Sequence, residues 1–158
     1  MVRSAALLAA KLLPPAIGPL YLRRPRLIDR LRAGLERRAT LVVAGPGYGK
    51  TALLAQFLRE SGEPSVWYAL DPTDRDPSVF SRGLARGITE HAPEFGARSQ
   101  GIWEALRCRP QEAERMADVL IGDAVESLSG SIVLVLDGVE HLEGSEPCVR
   151  AQIGRAHV

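Results

Sequence analysis

The stretch Ala44–Leu54, AGPGYGKTALL, decides how this chain is read. Three glycines and a proline fall between Gly45 and Gly49, and Lys50 and Thr51 then open an apolar run. The pattern from Ala44 to Thr51 is Ala or Gly, four residues of any kind, Gly, Lys, then Ser or Thr. Just before it, ATLVVA is short and rich in β-branched residues and is expected to form a buried strand. Just after it, KTALLAQFLRES has helical periodicity and stops at Gly62.

A strand, a glycine loop and a helix in this order fit one kind of chemistry. Glycines carry no Cβ, so successive backbone N–H groups are free to turn inward around an anion. The helix that starts near Gly49 adds the partial positive charge of its N-terminus. In this pattern Lys50 reaches the β- and γ-phosphates and the Thr51 hydroxyl ligates Mg²⁺. The candidate nucleotide-binding residues are therefore Ala44, Gly45, Pro46, Gly47, Tyr48, Gly49, Lys50 and Thr51.

The composition is that of a soluble globular protein and says little else. The chain has 158 residues, enough for one real core, and a net charge of +1. That balance gives no bulk electrostatic case for nucleic-acid or membrane binding. Of 20 basic residues, only Lys11 and Lys50 are lysine, so an ammonium at position 50 stands out. The arginines from Arg23 to Arg38 read as a solvated helix face. Cys108 and Cys148 lie far apart without metal-ligand spacing and read as reduced, cytosolic thiols. The N-terminal apolar run is broken by Lys11 and by Pro14–Pro15, so it is too short to span a bilayer and reads as a short helix or extended arm.

Further along, helical spacing predicts a helix over PRLIDRLRAGLERR, with Pro25 in its first turn. SVWYAL reads as a second strand. A helix follows with Asp76 as N-cap and Pro77 in the first turn. Another helix is expected from about Gln111 to Leu128, closed by Gly130. SIVLVLD, apolar throughout, reads as a strand buried on both faces. Its terminal Asp137 has the form of a Walker B aspartate, which holds Mg²⁺. Strands alternating with helices predict a parallel α/β sheet.

At this point the chain resembles a family. KLLPPAIGPLYLRRPRLIDRL, LVVAGPGYGKTALLAQFL, VWYALDPTDRDPSVF and IVLVLDGVEHL stand in the order found in STAND-class signal-transduction ATPases. The nearest subgroup is the nucleotide-binding domain of MalT-like, LuxR-family bacterial transcriptional regulators, and the likeness covers about residues 11 to 150. The resemblance implies a three-layer P-loop NTPase fold of the ASCE/STAND type. It also implies ATP and Mg²⁺ as cofactors, self-oligomerisation controlled by an inducer, a cytoplasmic location without a membrane, and DNA contact only through a separate C-terminal domain.

Two departures from the family pattern stand out. Family members commonly carry two adjacent acids after the Walker B strand, whereas Asp137 is followed here by Gly138. Glu140 is the candidate catalytic substitute, with a solvated turn as its other reading. Binding is thus better supported than hydrolysis. Second, the family places the phosphate-loop strand between two later strands that are not expected here. The fold is therefore expected to be truncated after the Walker B strand, with ATLVVA lacking both neighbours. The expected organisation is an N-terminal arm over residues 1–24, a partial NTPase domain over 25–150, and a tail over 151–158. Within that tail, Ile153–Val158 match the translation of a common sequencing adapter and are expected to be non-native; a genuine short C-terminus is the alternative.

Two other functions remain open in the sequence: a stand-alone P-loop ATPase or kinase, and a non-catalytic interaction module whose loop has lost its nucleotide. Trp67 and Phe80 read as core residues. His91 and His141 have no partners at metal-ligand spacing. Asp71, Asp74 and Asp76 read as turn and capping residues rather than a cation site. Arg26 lies in the linker that in related ATPases passes near the adenine, and a surface role is its other reading.

Overall fold

A computed structural model describes residues 9–18, 21–37, 39–96, 113–128 and 130–142. Cys108, Cys148 and the whole tail 151–158 lie outside the described residues. The element order is α1 (Pro25–Gly34), α2 (Lys50–Ser61), β1 (Ser65–Ala69), a 3₁₀ turn η1 (Pro72–Arg75), α3 (Pro77–Thr89), α4 (Ala113–Ser127), β2 (Val133–Asp137) and a 3₁₀ turn η2 (Val139–Leu142).

β1 and β2 run parallel in a two-stranded sheet, in a register that pairs Trp67 with Val135 and Ala69 with Asp137. Side chains alternate across each strand, and the two faces build two cores. On one face Val66, Tyr68 and Leu70 pack with Phe80, Leu84 and Ile88 of α3 and Leu120 of α4. On the other, Trp67 and Val135 pack with Ile28 and Leu31 of α1 and Leu53, Phe57 and Leu58 of α2. Helices cover both faces of a parallel sheet, so the architecture is three-layered α/β. Trp67 and Phe80 are core residues, 3% and 1% exposed. Truncating either to alanine costs about 3–5 kcal/mol.

Local signals place the helix ends as expected. Gly62 closes α2 in the left-handed region, with φ at 69°. The Asp76 carboxylate accepts from the Ser78 N–H at the start of α3, and Pro77 follows it.

Two expectations at the sheet fail. Residues 39–44 form no strand, and Leu41 and Val43 are 80% and 81% exposed. A strand exists only where a neighbour takes up its N–H and C=O groups, and β1 and β2 pair with each other instead. β2 is also not buried on both faces, since Leu134 keeps 41% exposure, and among the described residues it pairs along one edge only. Among the described residues, no helix is long and apolar enough to cross a membrane.

Within the described part of the N-terminal arm, two residues pack against the domain. Leu12 joins the core under α3, while Ile17 packs against the core on the opposite face. Residues 12–17 thus connect the two faces of the sheet. Between this segment and α2 lies a groove of about 380 Å³, lined by residues such as Leu12, Pro15, Ile17, Leu58 and Trp67.

Candidate functional site

The glycine loop leads directly into α2, whose N-cap is Gly49. Gly47 and Gly49 both have φ at 77°, a conformation that only glycine adopts without strain. No side chain caps the first turn of α2, and that turn contains no acidic residue. Its leading N–H groups therefore have no capping side chain among the described residues and are available to an anion. Ala44 to Tyr48 are exposed, and the Tyr48 ring lies over Gly45.

Lys50 folds back across the loop. Its ammonium donates to the carbonyl oxygens of Ala44 at 2.8 Å and Gly45 at 3.1 Å. The next residue looks toward the sheet: the Thr51 hydroxyl donates to Asp137 Oδ1 at 3.1 Å, across 86 residues of sequence. Asp137 ends β2 at the carboxyl end of the sheet, the end where parallel α/β sheets place their ligands. A hydroxyl and a carboxylate are hard oxygen donors, and Mg²⁺ at phosphate sites takes one or two such protein ligands besides phosphate oxygens and water. The donor set therefore fits Mg²⁺. Among the described residues, no cluster of three or more His, Cys, Asp or Glu side chains offers an alternative all-protein metal site.

The backbone around Asp137 is tightly held. The Leu70 N–H donates to the Asp137 carbonyl at 2.8 Å. Gly138 has φ at 86°, and a Cβ built on it would stand 3.0 Å from the Leu70 carbonyl oxygen. A second acid at 138 would be both strained and crowded, so glycine there is a requirement of this turn. Glu140 begins its side chain two residues further on, in η2, where it is exposed. Among the described residues, no hydrogen bond joins Glu140 to the loop.

The linker contacts the loop through residues that sequence reasoning passed over. Arg24 Nη1 donates to the Tyr48 carbonyl at 3.0 Å. The Tyr21 hydroxyl lies 3.1 Å from where a Gly49 Cβ would be. Arg26 is exposed on α1, so the linker arginine beside the loop is Arg24. The only sequence signal for it was the doubled arginine before Pro25. Arg23 makes a two-point pair with Glu60 of α2, at 2.9 and 2.7 Å, and this hydrogen-bonded guanidinium holds the Glu60 carboxyl down at about 2.

The three aspartates after β1 act as turn builders. Asp71 caps η1 in a reciprocal capping box with Asp74, and Asp76 caps α3. His91 Nε2 lies 2.9 Å from the Ser65 carbonyl oxygen. The backbone carbonyl of His141 accepts from Arg75 Nε at 2.8 Å.

Comparison with known proteins places this arrangement. A family model described as "AAA domain" matches residues 33–153. Serine/threonine-protein kinase PknK of Mycobacterium tuberculosis is 29% identical over 117 residues, covering 72% of this chain and 10% of the relative. The HTH-type transcriptional regulator MalT of Yersinia enterocolitica is 34% identical over 79 residues, covering 50% of this chain and 9% of the relative. MalT of Vibrio cholerae is 35% identical over 68 residues, covering 42% of this chain and 7% of the relative. The chain thus spans about a tenth or less of the length of these relatives. No solved structure matches.

Proposed function

Since this chain belongs to the AAA domain family, a group of P-loop ATP-binding domains, we propose that it serves as the ATP-binding switch domain of a bacterial transcriptional regulator of the MalT-like kind. The observation that carries the reading is the convergence of loop, lysine, hydroxyl and carboxylate at one end of the sheet, closed by the Thr51–Asp137 hydrogen bond. In this reading the backbone N–H groups of Gly45 and of residues 47–50 wrap the phosphates, Pro46 having none to give, and Lys50 exchanges its two carbonyl acceptors for phosphate oxygens. Thr51 Oγ1 and Asp137 would hold Mg²⁺, which neutralises phosphate charge when bound. Arg24 braces the loop from the linker side through the Tyr48 carbonyl.

Binding is supported better than turnover. Hydrolysis needs a group that orients the attacking water, and position 138 holds a glycine whose backbone would strain any side chain. Glu140 is the remaining acid beyond Asp137 in η2, and it is exposed. The domain therefore reads as a switch that senses nucleotide, with an inducer, self-association and DNA contact supplied by other parts of a regulator. Titration of the intact gene product with ATP, in Mg²⁺ and in EDTA, tests the reading. Saturable binding that tightens with Mg²⁺ supports it, and the absence of any binding contradicts it.

A further inference from the structure

The N-terminal arm and linker touch the site from both of its sides. At residue 11, the Lys11 ammonium lies 2.6 Å from Asp74 Oδ2 and 2.8 Å from Asp71 Oδ2, and it faces the Tyr68 ring. At residues 23 and 24, Arg23 grips Glu60 of α2 and Arg24 grips the Tyr48 carbonyl of the loop. One segment therefore anchors both the phosphate loop and the turn that follows β1.

That turn is built around a buried charge. Asp74 is 0% exposed, and its carboxylate accepts from the Tyr68 hydroxyl at 2.6 Å, from the Asp71 N–H at 2.8 Å and from Lys11. A buried carboxylate holds its position only while its donors remain. The turn in turn supports Asp137 at three points. Leu70 N–H binds the Asp137 carbonyl, the Leu70 carbonyl backs Gly138, and Arg75 Nε binds the His141 carbonyl in η2. A continuous path of hydrogen bonds and close contacts thus runs from Lys11, through Asp74 and the 70–76 turn, to the backbone on both sides of Asp137.

We propose that residues 11–18 and 21–24 act as a strap, with Lys11 and Asp74 as positioning residues that set the backbone of Asp137 through the 70–76 turn and Arg75. Releasing the Lys11 anchor would loosen the metal-side half of the site, while Ile17 and the Arg23–Glu60 pair would keep the arm on α2. The inference rests on the nucleotide reading only for the ligand that Asp137 serves; the strap itself rests on the contacts within the chain.

Amide hydrogen exchange on the intact gene product tests it. Lys11→Met, which keeps the stem and removes the charge, is expected to speed exchange by about tenfold or more at 70–76 and 137–142, with 50–61 changed by less than about twofold. Lys11→Arg is expected to restore slow exchange. Arg75→Met cuts the path further along, and it should speed exchange at 139–142 while sparing 70–76. In the same samples, Lys11→Met should weaken ATP binding by about tenfold in Mg²⁺ and by less than about twofold in EDTA. Exchange that rises at 70–76 but not at 137–142, or that rises equally in α2, overturns the proposal; so does an Arg75→Met variant that leaves 139–142 unchanged. A wild-type protein that binds no ATP overturns the nucleotide reading instead, while the exchange data still decide the strap.

Discussion

The Thr51 hydroxyl donates a hydrogen bond of 3.1 Å to the Asp137 carboxylate. This contact joins the first turn of the helix after the glycine loop to the end of a strand far along the chain. It makes one polar corner out of two sequence motifs, with both oxygens presented at the carboxyl end of the sheet. Removing either oxygen should therefore affect metal-linked affinity first. Thr51→Val or Asp137→Asn is expected to weaken Mg²⁺–ATP binding by about ten- to a hundredfold, the worth of one charge-assisted interaction. Binding in EDTA should change far less. Calorimetric titration in both buffers checks this, and an equal loss in the two would contradict it.

Gly138 gives a second test. Its φ of 86° and the nearness of the Leu70 carbonyl would strain and crowd any side chain. Gly138→Asp, which restores the paired acids common in related ATPases, is expected to destabilise the protein by about 1–3 kcal/mol. It should not raise ATP turnover. Urea unfolding and a phosphate-release assay measure the two effects, and a stable, faster variant would show that the turn tolerates an acid.

Close packing between α3 and β1 gives a third. A Cβ on Gly83 would overlap the Tyr68 hydroxyl, whose proton is committed to Asp74. Gly83→Ala must push that ring aside or break its hydrogen bond, at a cost of about 1–3 kcal/mol. The midpoint of chemical denaturation should fall accordingly. A neutral substitution would mean that Tyr68 is free to move.

The fold was legible where local chemistry dictates it. Periodicity and caps placed α1, α2 and α3, and Pro25, Gly62 and Asp76 stand at the ends they signalled. Trp67 and Phe80, read as core aromatics, are buried. The loop, Thr51 and Asp137 were legible as motifs, and their juxtaposition followed once β1 and β2 paired in parallel. What composition could not supply was pairing. ATLVVA has the residues of a strand, yet strand formation depends on a neighbour, and Leu41 and Val43 remain exposed. Long-range polar contacts were equally hidden. Nothing local in Lys11 reveals that it meets Asp74 across 63 residues, nor that Arg24 rather than Arg26 meets the loop.

The Lys11 cluster also predicts a pH dependence. Burial alone would raise the Asp71 carboxyl, but hydrogen bonds from Lys11 and Thr73 outweigh it and hold it down at about 2. Burial alone would lower Lys11, but hydrogen bonds to Asp71 and Asp74 and their charges raise it above 10.5. A depressed carboxylate contributes stability above its unfolded value, near 3.8, and loses it as pH falls toward 2. A raised ammonium contributes below 10.5 and loses it as pH climbs through its folded value. The stability difference between wild type and Lys11→Met should therefore be flat from about pH 5 to 9. It should shrink on either side of that window. Denaturation curves across pH check it, and a difference that peaks near pH 3 would contradict it.

The central claim concerns the loop itself, and Lys50 tests it most directly. Its ammonium spans the loop carbonyls of Ala44 and Gly45 and is the cation that phosphate would meet there. Equilibrium binding of ATP to the intact gene product should fall by at least about a hundredfold in Lys50→Ala, with or without Mg²⁺. The thermal transition of that variant should match wild type. Unchanged ATP affinity in a folded Lys50→Ala protein would contradict the assignment of this loop as the nucleotide site.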